Sequence, residues 1–399
     1  MPALVGLLLA AGSASAQTWS LDQIVRETSI SNPAIIGKKY SASAAEAEVA
    51  AAKWQRYPTP GLTLSRDTQG KPNALLSVQQ PLYAGGKIDA SIDAAQFRFS
   101  AAQSAVTETQ QTVLAQVITA YAEATLWQGR IDINQRMVGQ LQLLLDMMNR
   151  RVAAKASPAV DQSLAQARFI QANSELLTAR HSLARALTQL SQLVGKNVTA
   201  VSLMPVADVR VPGSKEVALE TALTVSPILA RLTFEAAVAE AEVAVQKSNL
   251  LPTVSARFEN QKADLPYTAG YQRVMVVMNM QTGAGLSAIS GIDAANGRRL
   301  AILQTKESAA IDLRQQVSID WDLLVFARSQ IENTIQASSI SKGVFESYTR
   351  QFTAGTRSWL DLLNTVRETG QNDMAVLDGQ AQILGASLRL SLWTGKLIQ

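Results

Sequence analysis

Cysteine is absent from this 399-residue chain, and histidine occurs once, as His181. The first absence excludes disulfides, thiolate metal sites and the acylated cysteine of a lipoprotein, so any membrane attachment must come from protein surface alone. A lone histidine has no partner for a metal site or a catalytic triad. The chain also lacks a glycine-rich phosphate loop after a strand and a Gly-x-Ser-x-Gly elbow, so no enzyme, cofactor or metal is expected. Charged residues are scarce at 17% and aromatics are 5%. The net charge of +4 comes without a Lys/Arg cluster interleaved with aromatics, which argues against nucleic acid as a partner. What is abundant is Ala, Leu, Gln, Ser and Val, a composition that suits long helices packed through small side chains.

Residues 1–17, MPALVGLLLAAGSASAQ, carry an apolar run from Ala3 to Ala11 and then Ala14-Ser15-Ala16, a small-x-small cleavage pattern. Residues 1–16 therefore read as a signal peptide, with a mature chain beginning at Gln17. Beyond it no apolar run approaches the roughly 18 residues a membrane helix needs. An exported chain of this kind is either soluble or an outer-membrane β-barrel, and strand pattern has to decide between them.

The chain repeats itself. Ala45-Glu46-Ala47-Glu48-Val49 recurs as Ala239-Glu240-Ala241-Glu242-Val243, an offset of 194 that also maps Pro33 to Pro227 and Pro58 to Pro252. Ile92-Asp93-Ala94-Ala95 recurs as Ile292-Asp293-Ala294-Ala295, an offset of 200 that also maps Asp161 to Asp361. Two structural repeats follow, 17–208 and 209–399. Proline is missing between Pro81 and Pro158, between Pro158 and Pro205, and after Pro266. Such tracts predict long helices at about 86–150 and 158–195, and again at about 284–351 and 358–395. Leu183, Leu187, Leu190 and Val194 form a heptad-like seam in the second of them. A helix of about 65 residues spans roughly 100 Å, a length for a stalk or a tube and not for a globular domain.

Between the short and long helices of each repeat the period changes to two. Val254, Ala256 and Phe258 alternate with Thr253, Ser255, Arg257 and Glu259. Val274, Val276, Met278 and Met280 alternate with Arg273, Met275, Val277, Asn279 and Gln281. This predicts a hairpin at about 253–282 with strands of transmembrane length, and a noisier one at about 60–83 built on Leu62, Leu64, Leu76, Val78 and Leu82. Tyr57, Tyr83, Tyr267 and Tyr271 fall near strand ends, where an interfacial aromatic girdle would sit against outer-membrane lipid. A soluble hairpin gives the same period, and export, duplication and long helices favour the membrane reading.

Two tight helix joints close the pattern. In "AGTRSWLDLLNTVRE", residues 354–368, Gly355 can take the positive φ that ends one helix and Ser358 can cap the next. "AAKASPAVDQSLAQAR", residues 153–168, is its counterpart.

Taken with "QPLYAGGKID" at 80–89, these residues give a chain that resembles a TolC-family outer-membrane channel protein over its whole mature length. The resemblance implies a mainly α fold with a transmembrane β part: a tandem-duplicated protomer whose homotrimer closes a 12-stranded β-barrel, continued by a periplasmic α-helical barrel. Lipid forbids the unpaired edges that two hairpins would leave, so closure by oligomerisation is the physical requirement. The resemblance further implies that the joints are a periplasmic tip where Gly355, Thr356, Ser157 and Pro158 meet partners, namely a periplasmic adaptor and an inner-membrane transporter. Arg357 matches a position that helps hold the entrance shut, and Asp361 a pore-facing carboxylate. Three copies of one carboxylate about a narrow axis would favour cations. Asn364 stands where some relatives carry a second aspartate, and Phe352 where some carry tyrosine. Asp361 can equally complement the α-helix dipole, Arg357 can be a solvated turn residue, and Trp127, Trp321 and Trp393 read as packing residues.

The Arg-Ser-Trp-Leu-Asp run after Gly355-Thr356 is more similar to the type I protein secretion branch than to multidrug (RND-type) efflux. A periplasmic coiled-coil adaptor is the rival from another class, but it would lack two membrane-length hairpins in tandem.

Overall fold

A computed structural model describes residues 18–66, 72–202, 204, 209–263, 270–280, 283 and 287–397. Residues 1–17, which hold the expected signal peptide, and Tyr267 lie outside the described residues. The elements run β1 (Thr18–Trp19), α1 (Leu21–Ser31), α2 (Pro33–Trp54), β2 (Thr59–Arg66), β3 (Pro72–Tyr83), α3 (Lys87–Ala153), α4 (Ala159–Val194) and β4 (Ala200–Val201). Then come α5 (Lys215–Val225), α6 (Pro227–Ser248), β5 (Thr253–Ala263), β6 (Tyr271–Asn279), α7 (Ser287–Thr353) and α8 (Trp359–Trp393). Two short helices, two strands and two long helices thus occur twice, and α3 and α7 each hold 67 residues. Pro33 and Pro227 each open a helix, where a missing N–H leaves no bond unmade. No single described helix is long and apolar enough to cross a membrane.

The chain forms two compact units, with α3 and α7 contributing to both. The first comprises Met1–Asn32, Gln111–Ala222 and Gln316–Gln399. Its largest core is helical: Leu21 and Ile24 of α1, Leu114, Val117, Ile118 and Tyr121 of α3, Leu190 and Val194 of α4, and Leu384, Leu388 and Leu392 of α8. The α4 seam faces this core, with Leu183 and Leu187 partly buried against it. The end of α1 is tied to the end of α4, since Ser31 Oγ donates to the Val194 carbonyl at 2.6 Å and Asn32 Nδ2 to the Leu193 carbonyl at 3.0 Å. Gly195 then takes the left-handed conformation that ends α4, and β1 and β4 pair in parallel. Tyr121 is fully buried and its hydroxyl donates to the Ser202 carbonyl at 2.6 Å. Burial pushes its phenol up to about 12, opposed by a backbone bond from Met204 and helped by the charge of Asp22. Asp320 of α7 is 1% exposed, and its charge is met by Arg389 Nε at 2.7 Å and Trp393 Nε1 at 2.9 Å, both from α8. A buried carboxylate without such partners would be strongly destabilising.

The second unit comprises Pro33–Gln110 and Leu223–Gln315. Its helices meet through small residues, with Ala52, Ile92 and Ala95 forming a cluster. Ion pairs also link these helices. Arg231 of α6 is gripped by Glu108 of α3 and Glu235 of its own helix, which raises its guanidinium further above its ordinary value. Arg98 meets Glu242 at 2.5 Å, and Arg299 meets Glu240 at 2.8 Å. The four longer strands form one antiparallel sheet in the order β2-β3-β5-β6. The hairpins of the two repeats therefore pair with each other, through β3 and β5, while β2 and β6 remain edges.

Candidate functional site

Register sorts the sheet into two chemically different faces, because residues directly opposite in a ladder point the same way. One face carries Pro60, Leu62 and Leu64 of β2, Ala74, Leu76 and Val78 of β3, Val254, Ala256 and Phe258 of β5, and Val274, Val276 and Met278 of β6, with Gln80, Asn260, Lys262 and Gln272 towards its ends. Val274 is 77% exposed, Leu64 73% and Val276 69%, so this apolar face lies open. The other face carries Thr63, Ser65, Asn73, Ser77, Gln79, Ser255, Arg257, Glu259, Gln261 and Arg273, with Leu75, Met275 and Val277 among them. Glu259 is buried there between Arg273 Nη2 at 2.7 Å and Arg257 Nη1 at 3.7 Å, and Arg257 also donates to Gln79 at 2.9 Å. Water gives no reason to leave the apolar face bare, whereas hydrocarbon does. An apolar face with a polar reverse, on strands of 8 to 12 residues, has the pattern of a transmembrane strand set.

The aromatic residues divide accordingly. Tyr57 stacks on Trp54 just before β2, and both are exposed. Tyr83 ends β3 opposite Val254, brought to the apolar face by an irregularity between Pro81 and Tyr83. These two suit an interfacial position. Tyr271 does not: it pairs with Gln261 on the polar face, its hydroxyl donates to Glu259 Oε2 at 3.3 Å, and Arg273 covers its ring at 4.6 Å. Proximity to a strand end placed it in the expected girdle, and the side-chain face removes it.

The two long-helix joints, the other candidate locus, lie side by side within the first unit. Each closes with the same backbone. The Lys155 N–H bonds the Val152 carbonyl and the Ala156 N–H the Arg151 carbonyl, at 3.0 and 2.8 Å. Gly355 N–H to Phe352 and Thr356 N–H to Gln351 repeat this, both at 3.0 Å. This double bond pattern needs a left-handed residue at the turn, and Lys155 (φ 58°) and Gly355 (φ 77°) supply it. The helices beyond start from Pro158, which makes no side-chain cap, and from Ser358, whose Oγ accepts the Asp361 N–H at 3.1 Å.

Trp359 joins the two. It is buried beside Phe352 with ring centroids 5.2 Å apart, and its Nε1 donates to the Asp161 carbonyl of α4 at 3.1 Å. Met137, Leu141, Leu144 and Met148 of α3 and Leu362, Leu363 and Val366 of α8 complete the core there. Arg151 lies over the Phe352 ring at 5.0 Å and donates from Nε to Ser157 Oγ at 3.1 Å, so Ser157 is an acceptor inside its own joint. Pro158, Gly355 and Thr356 are exposed at the turns, and Thr356 Oγ1 donates to the Gln351 carbonyl at 3.1 Å.

Arg357 folds back on α7. Its guanidinium lies 4.0 Å from the Tyr348 ring centroid and donates to the Tyr348 hydroxyl, and its Nε approaches Asp361 Oδ2 at 3.4 Å. Arg357, Asp361 and Tyr348 thus form one half-exposed cluster, with Asn364 partly exposed three residues further along α8. No local motif marks Tyr348, which sits nine residues from Arg357, across the turn. Tyr348 stands one helical turn before Phe352 on α7. A second carboxylate further along α8, Asp373, is met by Lys342 Nζ at 2.8 Å and Ser338 Oγ at 2.5 Å from α7, and by Arg136 of α3 at 3.8 Å. His181 is exposed on α4, and Trp127 stacks on Arg130 at 4.8 Å.

Residues 24–196 match the family model described as outer membrane efflux protein. No curated protein sequence matches the chain. Solved structures match along nearly all of it. A membrane protein from Pseudomonas aeruginosa is 16% identical with a TM-score of 0.84, covering 94% of this chain and 92% of that one. The outer membrane protein VceC from Vibrio cholerae is 16% identical with a TM-score of 0.80, covering 94% and 96%. The open state of the MtrE outer membrane channel from Neisseria gonorrhoeae is 15% identical with a TM-score of 0.81, covering 94% and 89%. The likeness is by sequence over residues 24–196 and by fold along nearly all of the chain.

Proposed function

We propose that this chain, an outer membrane efflux protein with the TolC-type fold, is the exit duct of a tripartite export system and serves type I protein secretion. The observation that supports the duct is the sheet with one bare apolar face, one polar face and two open edges, β2 and β6. Such edges are untenable in lipid, where every backbone N–H and C=O must be bonded. Three copies joined edge to edge give a closed barrel with polar residues lining the passage. The long helices carry that passage into the periplasm, and the joints form its inner end, where an adaptor and an inner-membrane transporter dock.

In this reading the protein does no chemistry. It is a passive conduit, and partner docking opens it. The Arg357–Tyr348–Asp361 cluster holds the end of α8 against α7 within one chain, and widening the entrance requires that hold to give way. Asp361, repeated about the axis, sets a carboxylate ring that draws cations and resists anions. Asn364, one turn on, leaves that ring single.

Secretion is favoured within the class by the run Arg357-Ser358-Trp359-Leu360-Asp361. Small-molecule efflux is the second reading, favoured by the description of the matching family. Cells deprived of this protein separate the two: loss of a protein from the culture medium with unchanged drug tolerance supports secretion. Raised sensitivity to dyes and detergents with an unchanged secreted set overturns it in favour of efflux.

A further inference from the structure

The polar face of the sheet carries three charges among its described residues: Arg257 and Glu259 of β5 and Arg273 of β6. They stand together, away from the helix-joined ends of the strands. Arg273 lies directly across from Glu259, and Arg257, two residues earlier on β5, lies across from Gln79 of β3. On the same face β2 offers only Thr59, Gly61, Thr63 and Ser65, all short and uncharged.

One carboxylate therefore faces two guanidiniums, and the two are not held alike. Arg273 pairs Glu259 fully: its Nη2 lies 2.7 Å and its Nε 2.9 Å from Oε2, and the Tyr271 hydroxyl donates to the same oxygen at 3.3 Å. Arg257 Nη1 lies 3.7 Å from Glu259 Oε1, outside hydrogen-bond range, and its Nη2 donates instead to the neutral Gln79 Oε1 at 2.9 Å. Pairing Glu259 takes one arginine. The second is fixed in place by an amide, which leaves its charge uncancelled, and among the described residues no other acid on this face balances it.

We infer that this face is an anion-attracting lining with Arg257 as its unmatched charge, so that the barrel section of the passage favours solutes bearing carboxylate, sulfonate or phosphate groups over cations. The inference rests on the reading of the sheet as the barrel wall of a duct and names the charge preference of that section. Repeated around a closed barrel, a fixed cation on a water-filled wall with low-dielectric surroundings focuses its field into the lumen and raises the local concentration of anions. Its sign is opposite to that of the Asp361 carboxylate ring, which gives one passage two filters of opposite charge.

The natural absence of cysteine makes one introduced thiol a clean reporter. Ser77→Cys puts it on the polar face, directly across from Glu259. The test uses detergent-purified full-length protein carrying this change and compares modification by a sulfonate-bearing and an ammonium-bearing methanethiosulfonate reagent, each rate divided by that for a free thiol in solution. The sulfonate reagent is expected to react several-fold faster at about 0.1 M salt, where fields reach about 10 Å, and the preference should fade at about 1 M, where they reach about 3 Å. Arg257→Gln, which leaves the Arg273–Glu259 pair whole, should lower the ratio, and Glu259→Gln should raise it, so that a loss of fold cannot imitate both. Lys262→Gln removes the same charge from the opposite face of the same strand and should leave the ratio unchanged. Absence of a charge preference, or a preference that Arg257→Gln does not reduce, overturns the inference alone. An equal reduction by Lys262→Gln does so too, since the field would then belong to the whole molecule and not to this face. A thiol that reacts with neither reagent overturns the duct itself, because a face lining a water-filled passage is open to both.

Discussion

At the α3–α4 joint the left-handed residue is Lys155, the cap is Pro158 and the first helical residue beyond is Ala159. At the α7–α8 joint the corresponding residues are Gly355, Ser358 and Trp359. The backbone bonds that close the two turns are the same, so the geometry of the turn does not explain the exchange of side chains. What differs is the work each joint does. The second holds the shared core together through Trp359 and presents the Arg357–Asp361 pair. The first holds Arg151 down on Phe352 and leaves Arg150 and Lys155 free to face outward. The two copies keep one turn scaffold and differ in the packing and charge they carry on it.

The largest break in this asymmetry is Trp359→Ala, which makes the second joint resemble the first. Loss of a buried indole and its bond to Asp161 should destabilise the joint by about 3–5 kcal/mol, seen as faster amide exchange throughout 352–366. An effect confined to the first turn of α8 would mean that Trp359 does not bridge the joints.

The caps and turns come next. Ser358→Ala should cost about 1 kcal/mol by removing the bond to the Asp361 N–H, while Pro158→Ala, with no such bond to lose, should cost less. Chemical denaturation of the two variants checks the order. Gly355→Ala should destabilise by about 1 kcal/mol and Lys155→Gly should stabilise by about 0.5–1 kcal/mol, opposite signs for one backbone position. Equal signs would show that the two turns are not equivalent in solution.

Smallest is Tyr348→Phe, which removes the acceptor for Arg357 and keeps the ring under the guanidinium. A loss of about 0.5–1 kcal/mol in stability is expected, with more frequent channel openings in a bilayer. Unchanged gating would take Tyr348 out of the latch.

Much of this was legible in the sequence. The proline-free tracts announced α3, α4, α7 and α8, because proline is the residue a long helix tolerates least. The switch to period two announced both hairpins, and the apolar positions Leu62, Leu64, Val274 and Val276 do share one face. Other features depend on the partner of a strand or helix, which no local pattern encodes. The pairing of β3 with β5 joins residues nearly 180 apart, as in Arg257 and Gln79. Tyr271 was misplaced because nearness to a strand end says nothing about its face, and a shift of one residue reverses the side. The irregularity at Pro81 and Tyr83 makes such a shift within β3. Arg357 and Asp361 were visible in a single motif, whereas Tyr348, Trp359's hold on Asp161 and the Asp373 cluster needed the helices laid side by side.

The account stands most directly on single-channel recording in planar bilayers, comparing the wild type with Asp361→Ala, with and without divalent cations. It predicts small cation-selective openings that divalents block, with the block relieved in the variant. A protein that runs as a soluble monomer in the absence of detergent, or a channel whose selectivity and block are the same in both forms, would contradict it.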